Sequence, residues 1–484
     1  MQYEAVIGLE IHVQINTRTK TFCRCSTEFG APPNTHTCPV CLGLPGALPV
    51  LNEEVIKKGI TAGLALNCSV AKYSIFARKN YFYPDLPKAY QISQYALPIN
   101  GPGRVKLVRP GGKEKWIGIT RAHLEEDAGK LVHDEDPRGP SYVDFNRCGV
   151  PLLEIVTEPD IRTPDDAYLF LTAIKEIMQY TGVSECNMEK GELRVDVNIS
   201  MREAGKDSYG VKQEIKNMNS FANVKRALEY EIKRQTRLLR SGEVLTQQTR
   251  LFDPNKNATV PMRTKEEAHD YRYFPDPDLV PVVLTSEEIS MLREELPELP
   301  DRRRKRFVEE YNLTEYDAVN ICSSLSTANY FEEAVRDYKQ PKKIANWILT
   351  ELLRYLNEQK IDIDQCLVTP AMLKELFDIM DSGVISGKIG KDVFTEMMSS
   401  GKRAGAIVEQ KGLKQVSDTG KLEGVVDEVL SEHGNVVADY LGGKQKAFGF
   451  LVGQVMKKTK GKANPKLVNE LLNQKIGGSD DLEQ

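Results

Sequence analysis

The sequence predicts an α+β protein in three parts: a mixed α/β unit over residues 1–290, a helical unit over 291–406 and a small helical tail over 407–484. Three observations carry this. Short apolar alternations broken by Pro, Gly, Asn and Asp fill the first part, with a few helices between them. β-Branched alternation fades after Asp276-Pro277-Asp278 and a helical period replaces it. In the tail, Lys444, Lys446, Lys457, Lys458, Lys460, Lys462 and Lys466 fall within residues 441–469, a stretch without an acidic residue.

The 484 residues are ample for several domains, with 40% hydrophobic and 28% charged residues as in ordinary globular chains. A net charge of −4 gives no global sign of a nucleic-acid binder, so any basic surface must be local. No apolar run nears the roughly 20 residues of a membrane span, and the start Met1-Gln2-Tyr3-Glu4 carries no signal or transit pattern. Isolated Cys68, Cys148, Cys186, Cys322 and Cys366 suit a reducing cytosol, so a cytoplasmic location is expected.

In chain order, Gly8-Leu9-Glu10-Ile11-His12-Val13-Gln14 reads as a strand with Glu10, His12 and Gln14 on one face and the apolar residues on the other. A solvated sheet face would look alike. The pattern recurs at residues 193–200, where Arg194, Asp196 and Asn198 alternate with Val195 and Val197, and again with Glu214 and Lys216. Several such strands together could line a polar cavity. Next, Cys23, Cys25, Cys38 and Cys41 form C-x-C-x12-C-x2-C, a set of four thiolates suited to a structural zinc. Residues 78–91 crowd aromatics among basic groups, as in a nucleic-acid contact, a channel wall or an aromatic corner with snorkelling lysines. His123-Leu124-Glu125-Glu126-Asp127 is either an exposed acidic loop or a magnesium site. Glu154, inside the apolar run 150–156, would be costly to bury without a cation or a donor.

Helices are expected from Thr163, a plausible N-cap, to Tyr180, over residues 223–240 with Val224, Leu228, Ile232 and Leu239 near one face, and over 342–356 after Pro341. In the last, Trp347 reads as core. No G-x-x-x-x-G-K-[ST] loop and no G-x-S-x-G elbow occurs, so ATP use would not be of the P-loop kind and a nucleophilic hydrolase is disfavoured. Metal-assisted phosphoryl transfer fits the acids and lysines better.

Together these segments resemble the GatB family, the B subunits of the aspartyl/glutamyl-tRNA amidotransferases. The match rests on the Gly8–His12 motif, Arg78-Lys79-Asn80-Tyr81-Phe82-Tyr83-Pro84-Asp85, His123 through Lys130, Gly149-Val150-Pro151-Leu152-Leu153-Glu154-Ile155, Glu214-Ile215-Lys216-Asn217, Tyr273-Phe274-Pro275-Asp276-Pro277-Asp278 and Gly449-Phe450-Leu451-Val452-Gly453-Gln454. Cys148, Val195 and Val197 depart from the family pattern without touching a proposed catalytic group.

The resemblance implies a glutamine-synthetase-like cradle, a helical domain and a YqeY-like tail. It implies a ligase that uses ATP and Mg2+ to phosphorylate the side-chain carboxylate of Glu-tRNA(Gln) or Asp-tRNA(Asn). Ammonia from a partner amidase, the GatA protein, then displaces phosphate; the small GatC protein would complete a heterotrimer. On this reading Glu10, Glu125 and Glu154 hold magnesium and ATP, and His12 is a ligand or donor. Lys79, Lys88, Glu126 and Asp196 line the ammonia route. The tail lysines, Lys444, Lys446, Lys457 and Lys458 among them, contact tRNA rather than serving only as a solubilising face. Two other readings stay open: a free-standing ammonia ligase acting on a small carboxylate, and a non-catalytic zinc scaffold that binds RNA.

Overall fold

A computed structural model of the chain describes residues 2–109, 111–134, 139–264, 270–413, 419–459, 463 and 465–477. They divide into two compact units, Met1–Arg303 and Arg304–Gln484. The first extends past residue 290 because the helix Ser286–Glu294 and its continuation place Ile289, Leu292 and Leu296 on its core.

The first unit is built on a sheet of eight strands among the described residues: β1 Tyr3–Gln14, β2 Gly103–Val108, β3 Glu114–Glu126, β4 Pro151–Thr157, β5 Leu193–Glu203, β6 Gln213–Lys216, β7 Gln248–Asp253 and β8 Ala258–Thr264. Their spatial order is β8-β7-β6-β5-β1-β4-β3-β2, and only β6 and β7 run parallel. β1 is central because its inward residues Leu9, Ile11 and Val13 are fully apolar, and it pairs with β5 over Tyr3–Val13 on one edge and with β4 over Glu10–Gln14 on the other.

Besides Ser286–Glu294, the helices α1 Glu53–Ala65, α2 Pro164–Tyr180 and α3 Phe221–Ser241 join that core. α2 starts where expected: the Thr163 hydroxyl accepts from the Asp166 N–H, and Pro164 needs no partner at the first turn. Its Phe170, Leu171, Ile174 and Met178 meet Val224, Ala227 and Leu228 of α3 in the core. Each of these side chains except that of Ala227 contributes roughly 1.5–3 kcal/mol on burial. α3 begins at a Ser220 cap and ends at Gly242, whose φ of 76° is the left-handed geometry that favours glycine. Asn100 fastens α1 to the sheet, its amide donating to the Gly59 carbonyl at 2.9 Å and the Ala122 carbonyl at 3.0 Å. Gly63 is required there, since a Cβ would lie 1.9 Å from Asn100 Oδ1.

The second unit is helical. Its described residues hold two separate apolar clusters, one within 307–408 and one within 422–476. Trp347 packs edge-on against Phe377 and Phe394 beside the first cluster, as a core residue would. The expected continuous helix differs in one respect: Pro341–Trp347 passes through a π-helical turn, Ile348–Leu352, before Leu353–Gln359. No helix among the described residues is long and apolar enough to cross a membrane.

Candidate active site on the polar face of the sheet

The face of β1 opposite the core carries Glu10 and His12. Register brings other strands to them: Glu10 stands beside Asp196 of β5, and His12 stands between Arg194 of β5 and Glu154 of β4. β3 would present the wrong face were it regular. Ile117 and Ile119 point into the core, yet so do Ala122 and Leu124. A bulge between Ile119 and Arg121 inserts Thr120 and reverses the parity. Arg121, His123 and Glu125 therefore face the polar side.

One ligand atom each from His12, Glu125 and Glu154 lies within 4.8 Å of the others. His12 Nε2 is 3.6 Å from Glu125 and 3.7 Å from Glu154, while His123 Nε2 is 3.2 Å from Glu154 and 3.8 Å from Glu125. Arg121 Nε donates to His123 Nδ1 at 3.3 Å, which leaves the His123 proton on Nε2, toward Glu154. Ser93 Oγ donates to Glu125 at 3.2 Å. Burial pushes the Glu154 carboxyl up, but the His123 hydrogen bond and the electrostatic influence of His123, His12 and Lys79 outweigh it and hold it below the usual carboxylate range. Two carboxylates flanking one imidazole fit a divalent cation, the oxygens suiting magnesium and the nitrogen being a less usual donor to it.

Glu10 is not in that trio. Its carboxylate accepts from Asn198 Nδ2 at 2.9 Å on the neighbouring strand. Asp196 lies on the same polar face, ion-paired with Lys216, which also reaches Glu214 at 3.0 Å; Thr249 donates to Glu214 at 2.8 Å. Burial lowers the Lys216 ammonium pKa, but Asp196 and Glu214 more than offset this and it stays charged. Lys79 lies 4.9 Å from the Tyr271 ring centre, and its charge is felt by Glu154. The four residues expected on one route thus occupy two places. Lys88 and Glu126 form an ion pair elsewhere, with the Ile92 N–H donating to Glu126 at 2.9 Å. They border a cavity of about 60 Å3 lined also by Phe22, Cys23, Cys41 and Tyr90. Adjacent Glu125 and Glu126 are both buried, so the acidic run is not an exposed loop. Asp127 is bound by Arg194 at 2.7 Å and Arg147 at 3.4 Å.

The four cysteines converge, with one sulfur from each within 4.8 Å of the rest. Cys38 and Cys41 sulfurs are 3.9 Å apart, close to the ~3.8 Å edge of a tetrahedron with 2.3 Å Zn–S bonds. The Cys41 thiol is pulled down to about 4 by the hydrogen bond from Cys23, with help from the Cys38 N–H and the Lys20 ammonium, against the effect of burial. Cys23 is correspondingly pushed up as the donor, and burial raises Cys25 to about 11. Lys20 is fully buried, donating to the His36 carbonyl at 2.7 Å and lying 3.7 Å from Cys41 Sγ. The donor set fits a metal clip.

In the tail, Lys444 pairs with Asp439 at 2.9 Å, and Lys458 with Glu428 at 2.9 Å and Glu432 at 2.7 Å. Acids absent from residues 441–469 thus arrive from the preceding helices. Lys446 and Lys457 show no ion pair among the described residues. Lys460 and Lys462 lie outside the described residues, as does the Lys466 side chain. Sequence reasoning names neither Arg121 nor Ser93, and places Arg194, Asn198 and Lys216 on polar strand faces without giving them a role in the site. For all but Ser93, the available signal is their place in the strand alternation.

A model of the GatB/GatE catalytic domain matches residues 5–290, and one of a GatB domain matches residues 329–476. Proteins named as the B subunit of aspartyl/glutamyl-tRNA(Asn/Gln) amidotransferase are similar over nearly their whole length. That of Carboxydothermus hydrogenoformans is 55% identical over 477 residues, 98% of this chain and 99% of its own. That of Geotalea daltonii is 55% identical over 480 residues, covering 99% and 100%, and that of Persephonella marina 56% over 473, covering 98% and 99%. Family models and relatives agree with the geometry on one conclusion: the chain belongs to the GatB family of aspartyl/glutamyl-tRNA(Asn/Gln) amidotransferases.

Proposed function

We propose that this chain is the ligase component that converts the side-chain carboxylate of Glu-tRNA(Gln) or Asp-tRNA(Asn) to an amide at the expense of ATP. The observation that carries the reading is the convergence of His12, Glu125 and Glu154 on a sheet face flanked by lysines and arginines. A carboxylate is a poor electrophile. Its oxygen therefore attacks the γ-phosphorus of ATP, ADP leaves, and an acyl phosphate results. Ammonia then attacks the acyl carbon, phosphate departs with the C–O bonding pair, and one ammonia proton is lost to a base.

Glu125, Glu154 and His12 would hold magnesium, which when bound neutralises phosphate charge. His123 orients Glu154, and Arg121 keeps His123 in the right tautomer. Asp196 with Lys216 and Glu214, together with Lys79, is suited to receive ammonia and the proton it sheds on that face. Lys88 and Glu126 would form an earlier station of the same route, beside the cysteine knuckle. The cysteines would hold a structural zinc, whose four thiolates leave no open position for catalysis.

Ammonia would come from the GatA amidase, with GatC completing a cytoplasmic heterotrimer. The tail, residues 407–484, would contact tRNA through Lys446 and Lys457, with Lys444 and Lys458 exchanging acidic partners for phosphates. The test is co-expression with GatA and GatC, then amidation of each mischarged tRNA. Glu125→Gln is expected to abolish tRNA-stimulated ATP turnover while tRNA is still bound. Turnover stimulated by free glutamate instead of mischarged tRNA would favour the free-standing ligase, and unchanged turnover a scaffold. Truncation before residue 407 should weaken tRNA binding at moderate salt; unchanged affinity would refute the tail's role.

A further inference from the structure

Lys20 is fully buried, and no step of the proposed reaction uses its charge. An ammonium is expensive to bury unless an anion faces it. No carboxylate pairs with Lys20 among the described residues. Glu126, which borders the same small cavity, is already paired with Lys88. The partners of Lys20 Nζ are the His36 carbonyl at 2.7 Å, the Phe145 carbonyl at 3.4 Å and Cys41 Sγ at 3.7 Å. Of these only the sulfur can carry a charge. The Lys20 N–H donates to the Cys25 carbonyl at 3.0 Å, so its backbone belongs to the turn of the first cysteine pair while its side chain ends on the second.

Hydrogen bonding alone does not account for a lysine here. The loop 145–149 is tied to the knuckle without it. Thr21 donates to the Gly149 carbonyl from its N–H at 2.9 Å and from its hydroxyl at 3.1 Å. The Cys148 thiol donates to the Cys41 carbonyl at 3.3 Å, and the His36 N–H to Asn146 Oδ1 at 2.8 Å. A neutral amide could serve the two carbonyls that Lys20 reaches without burying a charge. What a lysine adds is the positive charge, and it adds it at the sulfur cluster. Four thiolates around a divalent ion carry two negative charges in excess, and one adjacent ammonium halves that burden. The burden is heaviest at Cys41, which is buried while Cys23, Cys25 and Cys38 are half-buried, and Cys41 is the cysteine that Lys20 meets. Outer partners of this kind hold ligands in place and set metal affinity.

We propose that Lys20 is the counter-charge of the metal-loaded knuckle, a positioning residue whose ammonium stabilises the thiolate cluster at Cys41. It rests on the zinc reading and goes beyond it, since part of the clip's affinity then comes from a residue that is not a ligand. The experiment measures zinc affinity of the reduced full-length protein by competition with a chromophoric chelator, and thermal stability with and without Cys41→Ser. Lys20→Met keeps the length of the side chain and removes the charge, and is expected to weaken zinc binding about 10–100-fold. It should lower the melting temperature of the zinc-loaded protein. In the zinc-free Cys41→Ser background the same change should cost clearly less or even stabilise, because the ammonium there has lost its anion. Lys20→Gln can still donate to the carbonyls and provides the measurement should the methionine variant not fold; it should lose zinc affinity as well. Zinc affinity within about twofold of the unaltered protein in either folded variant would overturn the proposal. So would equal losses of melting temperature with and without Cys41→Ser, the result expected of a lysine that only straps the two carbonyls. Failure of the unaltered reduced protein to retain zinc would overturn the zinc reading itself, and the counter-charge with it.

Discussion

His123 Nε2 lies 3.2 Å from Glu154 Oε2, and this contact ties β3 to β4 at the point where His12, Glu125 and Glu154 converge. Arg121 fixes the imidazole from the other side. His123→Ala should leave Glu154 without its orienting donor and lower divalent-cation affinity about 10–100-fold. Titration of ATP turnover against Mg2+ would measure this. Recovery of full rate at high Mg2+ identifies a positioning role, whereas a rate deficit that persists at saturation argues for direct participation.

The Thr120 bulge decides which face of β3 meets Glu154. Deleting Thr120 would restore regular alternation and force either Ile117 and Ile119 or Ala122 and Leu124 out of the core. Loss of cooperative unfolding, or an insoluble product, is the expected outcome. A soluble, folded and active deletion variant would show that the bulge is dispensable.

The knuckle should behave as a closed metal clip. Cys41→Ser is expected to remove about one equivalent of zinc from the purified protein and lower its melting temperature, because a closed tetrathiolate site contributes folding free energy directly. Metal analysis with a thermal melt checks both. Cys68, Cys148 and Cys186, whose thiols burial pushes up to about 12, should resist alkylation at pH 8 until the protein unfolds.

Asp166 anchors α2 to β2 and β3 through Arg109, which holds both its oxygens at 2.7 and 2.6 Å, and Lys115 at 3.2 Å. Burial raises its pKa, but these two cations win and the net shift is downward. A carboxylate with a depressed folded pKa stabilises the fold above its unfolded pKa of about 3.9 and loses that contribution as pH falls through the folded value. Asp166→Asn should therefore cost about 2 kcal/mol at pH 7, a figure kept modest because Arg109 is partly exposed, and much less near pH 2. Denaturant melts at the two pH values test this; an equal cost at both would refute it.

Much of the polar face could be read from single strands. Glu10 and His12, Arg194 and Asp196, and Glu214 and Lys216 alternate with apolar neighbours, and a strand's period of two places them on one side wherever the strand lies. The helix after Thr163 was legible for the same local reason, its cap and spacing lying within one short stretch. The acidic run at 123–127 was not. Whether it is a loop or a strand end, and which of its acids face the site, depends on a one-residue bulge that no local pattern announces.

The sequence by itself determined the family, the alternating polar faces, the four-cysteine spacing and a run of tail lysines. Only the tertiary structure decided that Glu125 and Glu154 meet at His12 while Glu10 turns to Asn198. It alone separated Lys88 and Glu126 from Lys79 and Asp196, and supplied acids to Lys444 and Lys458. Periodicity comes from backbone geometry within a segment. Convergence comes from register between segments more than a hundred residues apart, which is set by how all the strands bury their apolar faces together.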